Sequence, residues 1–227
     1  MSAQSKVTAM NDYTKYASVR VTHVADAVDK LGADYGSGGS GLTFYGESRR
    51  CAIGRAFTVQ QVEISQGEET VEKPRHGEAV TKLSQPGDIV VIDVPVGVDV
   101  ATWGEAHTLK AIARGLAGVL VNGGARDVAT LRTLPFPALI ARASPFKSFG
   151  RIRTSEIGGA VSIGETRVET GDILVIGDEG FMVLPQSKAV AVLDRALAIA
   201  QLEIARDDEL FMQLASLPGA ARRSRSP

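Results

Sequence analysis

The sequence predicts an α/β protein, on three observations. Asp88-Ile-Val-Val-Ile-Asp93 is a continuous apolar run preceded by Pro86-Gly87, the pattern of a strand buried on both faces. Trp103 to Arg114 carries apolar residues at helical spacing and Gly118-Val-Leu-Val121 repeats the buried-strand pattern, so the three segments read as one right-handed strand, helix, strand unit. Behind them, β-rich runs near 160, 166, 174 and 182 are separated by Gly164, Gly171 and Gly180.

Taken in order, residues 1 to about 17 lack periodicity and read as a flexible N-terminal arm. Thr22 then caps a short helix in which Val24, Ala27, Val28 and Leu31 recur at helical spacing and Gly32 is the stop. Asp34-Tyr-Gly-Ser-Gly-Gly-Ser-Gly41 matches G-x-G-x-x-G, but it follows a helix and leads toward a strand, the reverse of the strand, turn, helix order that dinucleotide binding needs. It reads as a flexible glycine loop or a lid near a site. Ile53 to Ile64 is rich in β-branched and aromatic residues and predicts a strand, and Ala79 to Leu83 predicts the end of a short helix. After the central unit come a short helix at Val128 to Leu131 and a strand at Ala138 to Ala141. Lys188 to Leu214, rich in Ala and Leu and ending before Pro218, is the closing helix. The expected organisation is an arm at 1–17, one α/β domain at 18–217 and a disordered basic tail at 218–227.

The 227 residues carry 25 Lys+Arg against 26 Asp+Glu, a formal charge of −1, which argues against nucleic acid or an anionic membrane as partner. With 44% hydrophobic and 22% charged residues the chain can bury a real core. One cysteine, Cys51, and three histidines, His23, His76 and His107, exclude an internal disulfide and the common zinc spacings. The polar N-terminus has no apolar signal region and no run of eighteen apolar residues occurs, so a cytoplasmic location is expected.

Ligands of α/β sheets gather outside the carboxyl ends of the strands. Two segments meet that description. Asp93 through Val94-Pro-Val-Gly97 to Trp103-Gly-Glu-Ala-His107 is a glycine-containing loop entering a helix whose first amides lack intrahelical partners and suit a carboxylate. Asn122-Gly-Gly-Ala-Arg-Asp127 is a strand end where glycines permit a tight turn that presents Arg126 beside Asp127, an anion clamp next to a ligand for a hard metal. Simpler readings stand beside these: Asp127 as the cap of the helix at Val128, Glu105 as a first-turn acid favoured by the helix dipole, His107 and Trp103 as packing residues.

The ordered set Gly87-Asp88-Ile-Val-Val-Ile-Asp93, Trp103-Gly104-Glu105, Ala113 to Val121, Gly124-Ala-Arg126-Asp127 and Val168 to Pro185 with Gly171-Asp172 and Gly177-Asp178 resembles the RraA-like proteins. That family holds the class II 4-hydroxy-4-methyl-2-oxoglutarate / 4-carboxy-4-hydroxy-2-oxoadipate aldolases and the regulators of ribonuclease E activity. The resemblance covers roughly residues 20 to 205. It implies a swivelling β/β/α sandwich, a single domain with a C-terminal helix, assembled as a trimer or hexamer with sites between subunits. Residue by residue, it places pyruvyl binding on Arg126 and a divalent metal, Mg²⁺ or Mn²⁺, on Asp127 through water. Gly104 and the amides of Ala106 and His107 would receive the substrate carboxylate, Glu105 would organise a proton-relay water, and Glu203 of a neighbouring subunit would complete the site. Asn122, Glu179-Gly-Phe-Met182 and the Gly/Ser stretch at 36–41 depart from the family pattern.

The implied activity is cleavage of a 4-hydroxy-2-oxo acid to pyruvate and a second carbonyl compound, with oxaloacetate decarboxylation as a side reaction. The chemistry agrees with those roles: the bond cleaved lies beta to a ketone, so a cation and Arg126 stabilise the enolate and no Schiff-base lysine is needed. Asp127 favours this reading, since the regulator branch lacks that acid. A non-catalytic regulator of ribonuclease E, or a lyase or hydratase acting on another oxo or hydroxy acid, is the alternative. Arg55, Arg75 and Lys147 are candidates for reading the tail of the substrate.

Overall fold

The computed structural model describes residues 13–32, 35–39, 41–47, 51–65 and 73–215. The described chain begins with one helical turn, Thr14–Tyr16, and then α1 (Val21–Leu31). Three strands follow: β1 (Gly36–Gly38), β2 (Thr43–Tyr45) and the long β3 (Ala52–Glu63). The helical turn α2 (His76–Glu78) runs straight into a π-helical turn, Ala79–Leu83. Next come β4 (Asp88–Asp93), β5 (Ala101–Trp103), α3 (Glu105–Arg114), β6 (Gly118–Ala125) and α4 (Val128–Leu131). The strands β7 (Ala138–Ala143), β8 (Ile152–Ile157), β9 (Ala160–Ile163), β10 (Thr166–Glu169), β11 (Ile173–Gly177) and β12 (Gly180–Leu184) lead to α5 (Gln186–Ala215).

The main sheet runs β1-β12-β11-β3-β4-β6-β7-β2, with β5 also paired to β6 and β8 to β3. Its centre, β3-β4-β6-β7, is parallel, and the flanking pairs are antiparallel. The central strands are apolar on both faces because both faces are covered. Val90 and Ile92 of β4 pack with Trp103, Ala111 of α3 and Val80 of the π turn. Ile89 and Val91 point the other way, against Val161, Ile163 and Val168 of the β9–β10 hairpin and Leu174, Ile176, Phe181 and Val183 of β11 and β12. The outer faces of β11 and β12, through Ile173, Val175, Met182 and Leu184, carry α1 and α5. Sheet on sheet with a helical layer outside is the β/β/α arrangement that the resemblance implies. Among the described residues no helix is long and apolar enough to cross a membrane.

Several sequence expectations change. Helix α1 begins at Val21 with Arg20, not Thr22, at the cap position, because the Arg20 amide donates to His23 Nδ1 at 3.0 Å. Gly32 ends it with φ 60°, as expected. Gly36–Gly38 is a strand, not a free lid: it pairs with Val183, Met182 and Phe181, and a Cβ at Gly38 would lie 2.6 Å from the Phe181 ring. The inner end of the N-terminal arm is held, since Tyr16 is buried and donates to Asp194 of α5 at 2.7 Å. Residues 1–12 and the tail at 218–227 lie outside the described residues. The strands β1, β2, β5 and β8 are additions; the first three are only three residues long, too short to show a period.

Candidate functional site

The central parallel strands bring the two sequence-predicted segments together at their carboxyl ends. Strand β6 runs on past Val121 to Ala125, and its last residues pair with β5 on one side and β7 on the other. Glycine is required there: a Cβ at Gly124 would lie 2.4 Å from the Val100 carbonyl oxygen. This close crossing delivers Trp103-Gly104 beside Arg126-Asp127. The Arg126 amide donates to the Trp103 carbonyl at 3.1 Å and locks the two turns together.

Asp127 has φ 56°, the sole positive value at a non-glycine among the described residues. Asp tolerates this left-handed conformation better than most residues, and such positions gather at functional sites. It occupies the cap position of α4, yet its side chain makes no capping bond there. Instead Oδ2 crosses to accept from the Glu105 amide at the start of α3, at 3.2 Å, and lies 3.7 Å from Arg126 Nε. The simple capping reading of Asp127 is therefore set aside. Gly104 makes room for this arrangement: a Cβ there would meet Asp127 Oδ2 at 2.9 Å and Arg126 Cγ at 3.0 Å. Its φ of 172° is open to any residue, so the requirement is space rather than backbone freedom. We expect Gly104→Ala to displace the Arg126–Asp127 pair at a stability cost of about 1 kcal/mol; denaturation midpoints and a crystal structure of the variant check both halves.

The first turn of α3 supplies amides with no intrahelical acceptor. The Glu105 amide goes to Asp127 and the His107 amide bonds the Gly104 carbonyl at 3.1 Å. The Ala106 amide has no acceptor among the described residues, which leaves it as the donor for an anionic ligand. Thr108 Oγ1 donates back to the Gly104 carbonyl and accepts from Trp103 Nε1 at 2.8 Å, fixing the indole as a wall. Trp103 stacks with Phe136 and with His107, with centroids 6.2 and 5.6 Å apart, and His107 meets His76 at 5.3 Å.

A cavity of about 90 Å³ is lined by His76, Thr102, Trp103, Gly104, Ala106, His107, Arg126, Asp127 and Lys147, among others. Burial holds His76 down to about 3, helped by His107, and burial with Lys110 and Arg126 holds His107 down to about 4. Both are neutral near pH 7. The unfolded chain, with ordinary histidines, binds more protons between those values and about 6.5, so the stability these imidazoles contribute is full above pH 6.5 and falls on acidification. At pH 5 the expected loss is about 2 kcal/mol per imidazole. Urea midpoints at pH 7.5 and 5 check this, and His76→Phe should flatten the dependence.

For a hard divalent cation the site offers the Asp127 carboxylate, whose Oδ1 carries no bond among the described residues. No group of three or more His, Cys, Asp or Glu side chains is gathered among the described residues, so a cation there would keep most of its coordination as water. That donor set fits Mg²⁺ or Mn²⁺ rather than zinc.

The other predicted residues lie elsewhere. Arg55 pairs with buried Asp88 at 3.1 Å, at the amino end of β4 and so at the opposite end from Asp93 and Asp127. Arg75 bonds Glu78 and borders a separate, open cavity with Thr154 and Glu156. Lys147 does border the site. Glu203 accepts from His23 Nε2 at 2.9 Å, on the α1–α5 layer of its own chain. Asn122 donates to Asp93, whose carboxyl is pushed up by burial against the bonds from Gln60 and Asn122. His76 and Thr102 were missed, since one lies in a three-residue helix and the other in a three-residue strand.

The family model described as RraA-like, Aldolase/RraA, matches residues 21–183, well over half of the chain. The chain belongs to the RraA-like family. A Photobacterium profundum protein named "Putative 4-hydroxy-4-methyl-2-oxoglutarate aldolase" is 30% identical over 107 residues, 47% of this chain and 65% of that protein. Protein DlpA of Legionella pneumophila is 26% identical over 152 residues, 66% of this chain but 24% of DlpA. This RraA-like chain thus spans between a quarter and two thirds of the length of these relatives. The crystal structure of Streptomyces coelicolor RraAS2, titled an unusual member of the RNase ES inhibitor RraA protein family, superposes with a TM-score of 0.68 at 23% identity, covering 85% of this chain and 93% of that one. That likeness establishes the fold.

Proposed function

We propose that this RraA-like chain is a divalent-metal-dependent lyase that cleaves a 4-hydroxy-2-oxo acid, such as 4-hydroxy-4-methyl-2-oxoglutarate, to pyruvate and a second carbonyl compound. Decarboxylation of oxaloacetate is its side reaction. The observation that carries the reading is Asp127: a left-handed acid that leaves its own helix uncapped and turns its carboxylate beside Arg126 at the mouth of the cavity.

In this reading the Arg126 guanidinium holds the pyruvyl oxygens and the Ala106 amide in the first turn of α3 receives the carboxylate, with Gly104 and His107, whose own amide is engaged by the Gly104 carbonyl, lining the cavity beside it. The C3–C4 bond breaks, its electron pair passes to the C2 oxygen, and the C4 hydroxyl gives up its proton as that carbon becomes a carbonyl. Glu105, exposed at the helix start, orders the water that takes this proton, and C3 is then protonated to give pyruvate. Asp127 would hold the divalent ion, which supplies Lewis-acid stabilisation of the negative charge growing on the pyruvyl oxygen. Arg126 is placed to share that load. Assembly as a homotrimer or hexamer would carry Glu203 of one subunit toward the site of the next.

The test is pyruvate release from 4-hydroxy-4-methyl-2-oxoglutarate and from oxaloacetate, followed by coupled lactate dehydrogenase with Mg²⁺, Mn²⁺ or EDTA. Pyruvate that appears with metal and stops with EDTA is the expected result. No turnover of either acid, together with saturable binding to ribonuclease E, would replace this reading with the regulatory one.

A further inference from the structure

Two arginine or lysine side chains stand in the wall of the candidate cavity, and the assigned roles use one of them. Arg126 is given to the pyruvyl oxygens, whereas Lys147 borders the same cavity beside Ser148 and has no role. Both are exposed, so they stand at its open edge rather than among buried Thr102, Trp103 and His76. The backbone fixes Lys147 in this place. Lys147 makes a parallel bridge with Ala101, whose amide donates to the Phe146 carbonyl at 2.7 Å. The Ser144 amide donates to the Ala125 carbonyl at 2.8 Å, and Arg151 Nη1 donates to the Lys147 carbonyl at 3.1 Å. The loop is thereby tied to β5 and to the end of β6, the strands that deliver Gly104 and the Arg126-Asp127 turn.

The ammonium itself is held by little. Among the described residues it makes no ion pair, and its one contact is with the face of the Phe149 ring, 5.7 Å from the centroid. The other cations considered for the far end of a substrate are spoken for: Arg55 pairs with Asp88 and Arg75 with Glu78. Acids already crowd this edge, with Asp127 in the wall and Glu105 at the start of α3. A ligand carrying a second carboxylate would be repelled by them unless a second cation faced it. An ammonium on a flexible four-carbon stem can turn to meet such a group.

We infer that Lys147 is a specificity-determining residue of this site: its ammonium pairs with a second carboxylate attached at C4 of the substrate, at the end away from Arg126. This rests on the proposed lyase reading and narrows it to 4-hydroxy-2-oxo diacids. When the C3–C4 bond breaks, C4 becomes a carbonyl carbon that still bears the tail carboxylate, so the second product is itself a 2-oxo acid. Lys147 touches no reacting atom. It sets which acid is held and in which orientation, and its loss acts chiefly on KM.

The experiment compares 4-hydroxy-2-oxoglutarate with 4-hydroxy-2-oxopentanoate, in which a methyl group replaces the tail carboxylate and nothing else changes. Pyruvate formation with Mg²⁺, read by NMR, gives kcat/KM for each. The wild-type chain is expected to favour the diacid by about fivefold or more. Lys147→Met, which keeps the stem and removes the charge, should cut that ratio by about threefold or more through the KM of the diacid. Lys147→Arg, which keeps the charge, should hold the ratio within about twofold of wild type. A general folding defect lowers both substrates alike. Smaller values of the wild-type ratio or of its fall in Lys147→Met overturn the assignment, as does an arginine variant that falls as far as the methionine one. Exchange of the pyruvate methyl protons with deuterated water, read by NMR on the wild-type chain, needs only the pyruvyl end of the site. Exchange without the expected ratios overturns this inference alone; absence of both exchange and turnover overturns the lyase reading and the inference with it.

Discussion

Asp127→Asn and Arg126→Ala are each expected to lower metal-dependent pyruvate release by about 10²- to 10³-fold, the scale on which loss of one oxyanion-stabilising group acts in a preorganised site. The asparagine variant is the sharper of the two. Asn accepts the left-handed backbone that Asp127 occupies at φ 56°, and its amide oxygen can still accept from the Glu105 amide. What it removes is the negative charge. The fold and the crossing of the two turns are retained, and the ability to hold a hard cation is not. Asp127→Ala removes the charge, the acceptor and the tolerance of positive φ together, so its melting point should also fall. Arg126→Lys is a further discriminator: a point charge replaces a planar fork, so most activity should still be lost if the guanidinium grips two oxygens of the pyruvyl group. Initial rates for both acids, with the thermal midpoint of every variant, decide the matter. Full activity in Asp127→Asn and Arg126→Ala would reject the site.

The largest effect on stability is expected at Gly124. Its missing side chain is what lets β5 cross β6, with the Val100 carbonyl oxygen 2.4 Å from where a Cβ would sit and Ser144 Cβ at 2.8 Å. One of those neighbours is backbone, which cannot swing aside as a flexible side chain does. Gly124→Ala must therefore separate two strands at the centre of the molecule, at a cost of about 3 kcal/mol or more. For a chain of this size that is a fall of roughly 6–12 °C in Tm. Because the same crossing delivers Trp103-Gly104 to Arg126-Asp127, activity should fall with it even at temperatures where the protein stays folded. Gly97→Ala is the control: Gly97 has φ 89° with nothing within 4 Å, so only backbone strain acts, about 1–2 kcal/mol. Equal losses at the two positions would show that the close approach at Gly124 is relieved by small shifts.

Much of this architecture was legible because burial writes itself into the order of residues. Asp88–Asp93 and Gly118–Val121 are apolar on both faces since each strand has a layer on either side, and the helix between them shows its single buried face through Thr108 and Ala111. The Arg126-Asp127 turn was legible too, as a charged pair following two glycines at a strand end. Local patterning misled where a distant partner decides the conformation. Gly36–Gly38 looks like a loop by composition, and becomes a strand because β12 offers a free edge and Phe181 covers the glycine. Thr22 has the better capping side chain, and loses the place to Arg20 because His23 accepts the Arg20 amide while its other nitrogen donates to Glu203, 180 residues away.

What the sequence alone determined is the α/β class, the central strand, helix, strand unit, and the segment of chain that carries the candidate acid and guanidinium. Only the tertiary structure decided that Asp127 turns from its own helix to the amide of Glu105, that Arg55 serves Asp88 at the far end of the sheet, and that His76 Nδ1 and Thr102 Oγ1 are buried without a hydrogen-bond partner among the described residues. The physical reason is range. Hydrophobic period and helix signals act over a few residues and can be read along the chain, whereas the partner of a buried polar atom is set by which strands cross, and that is a property of the folded whole.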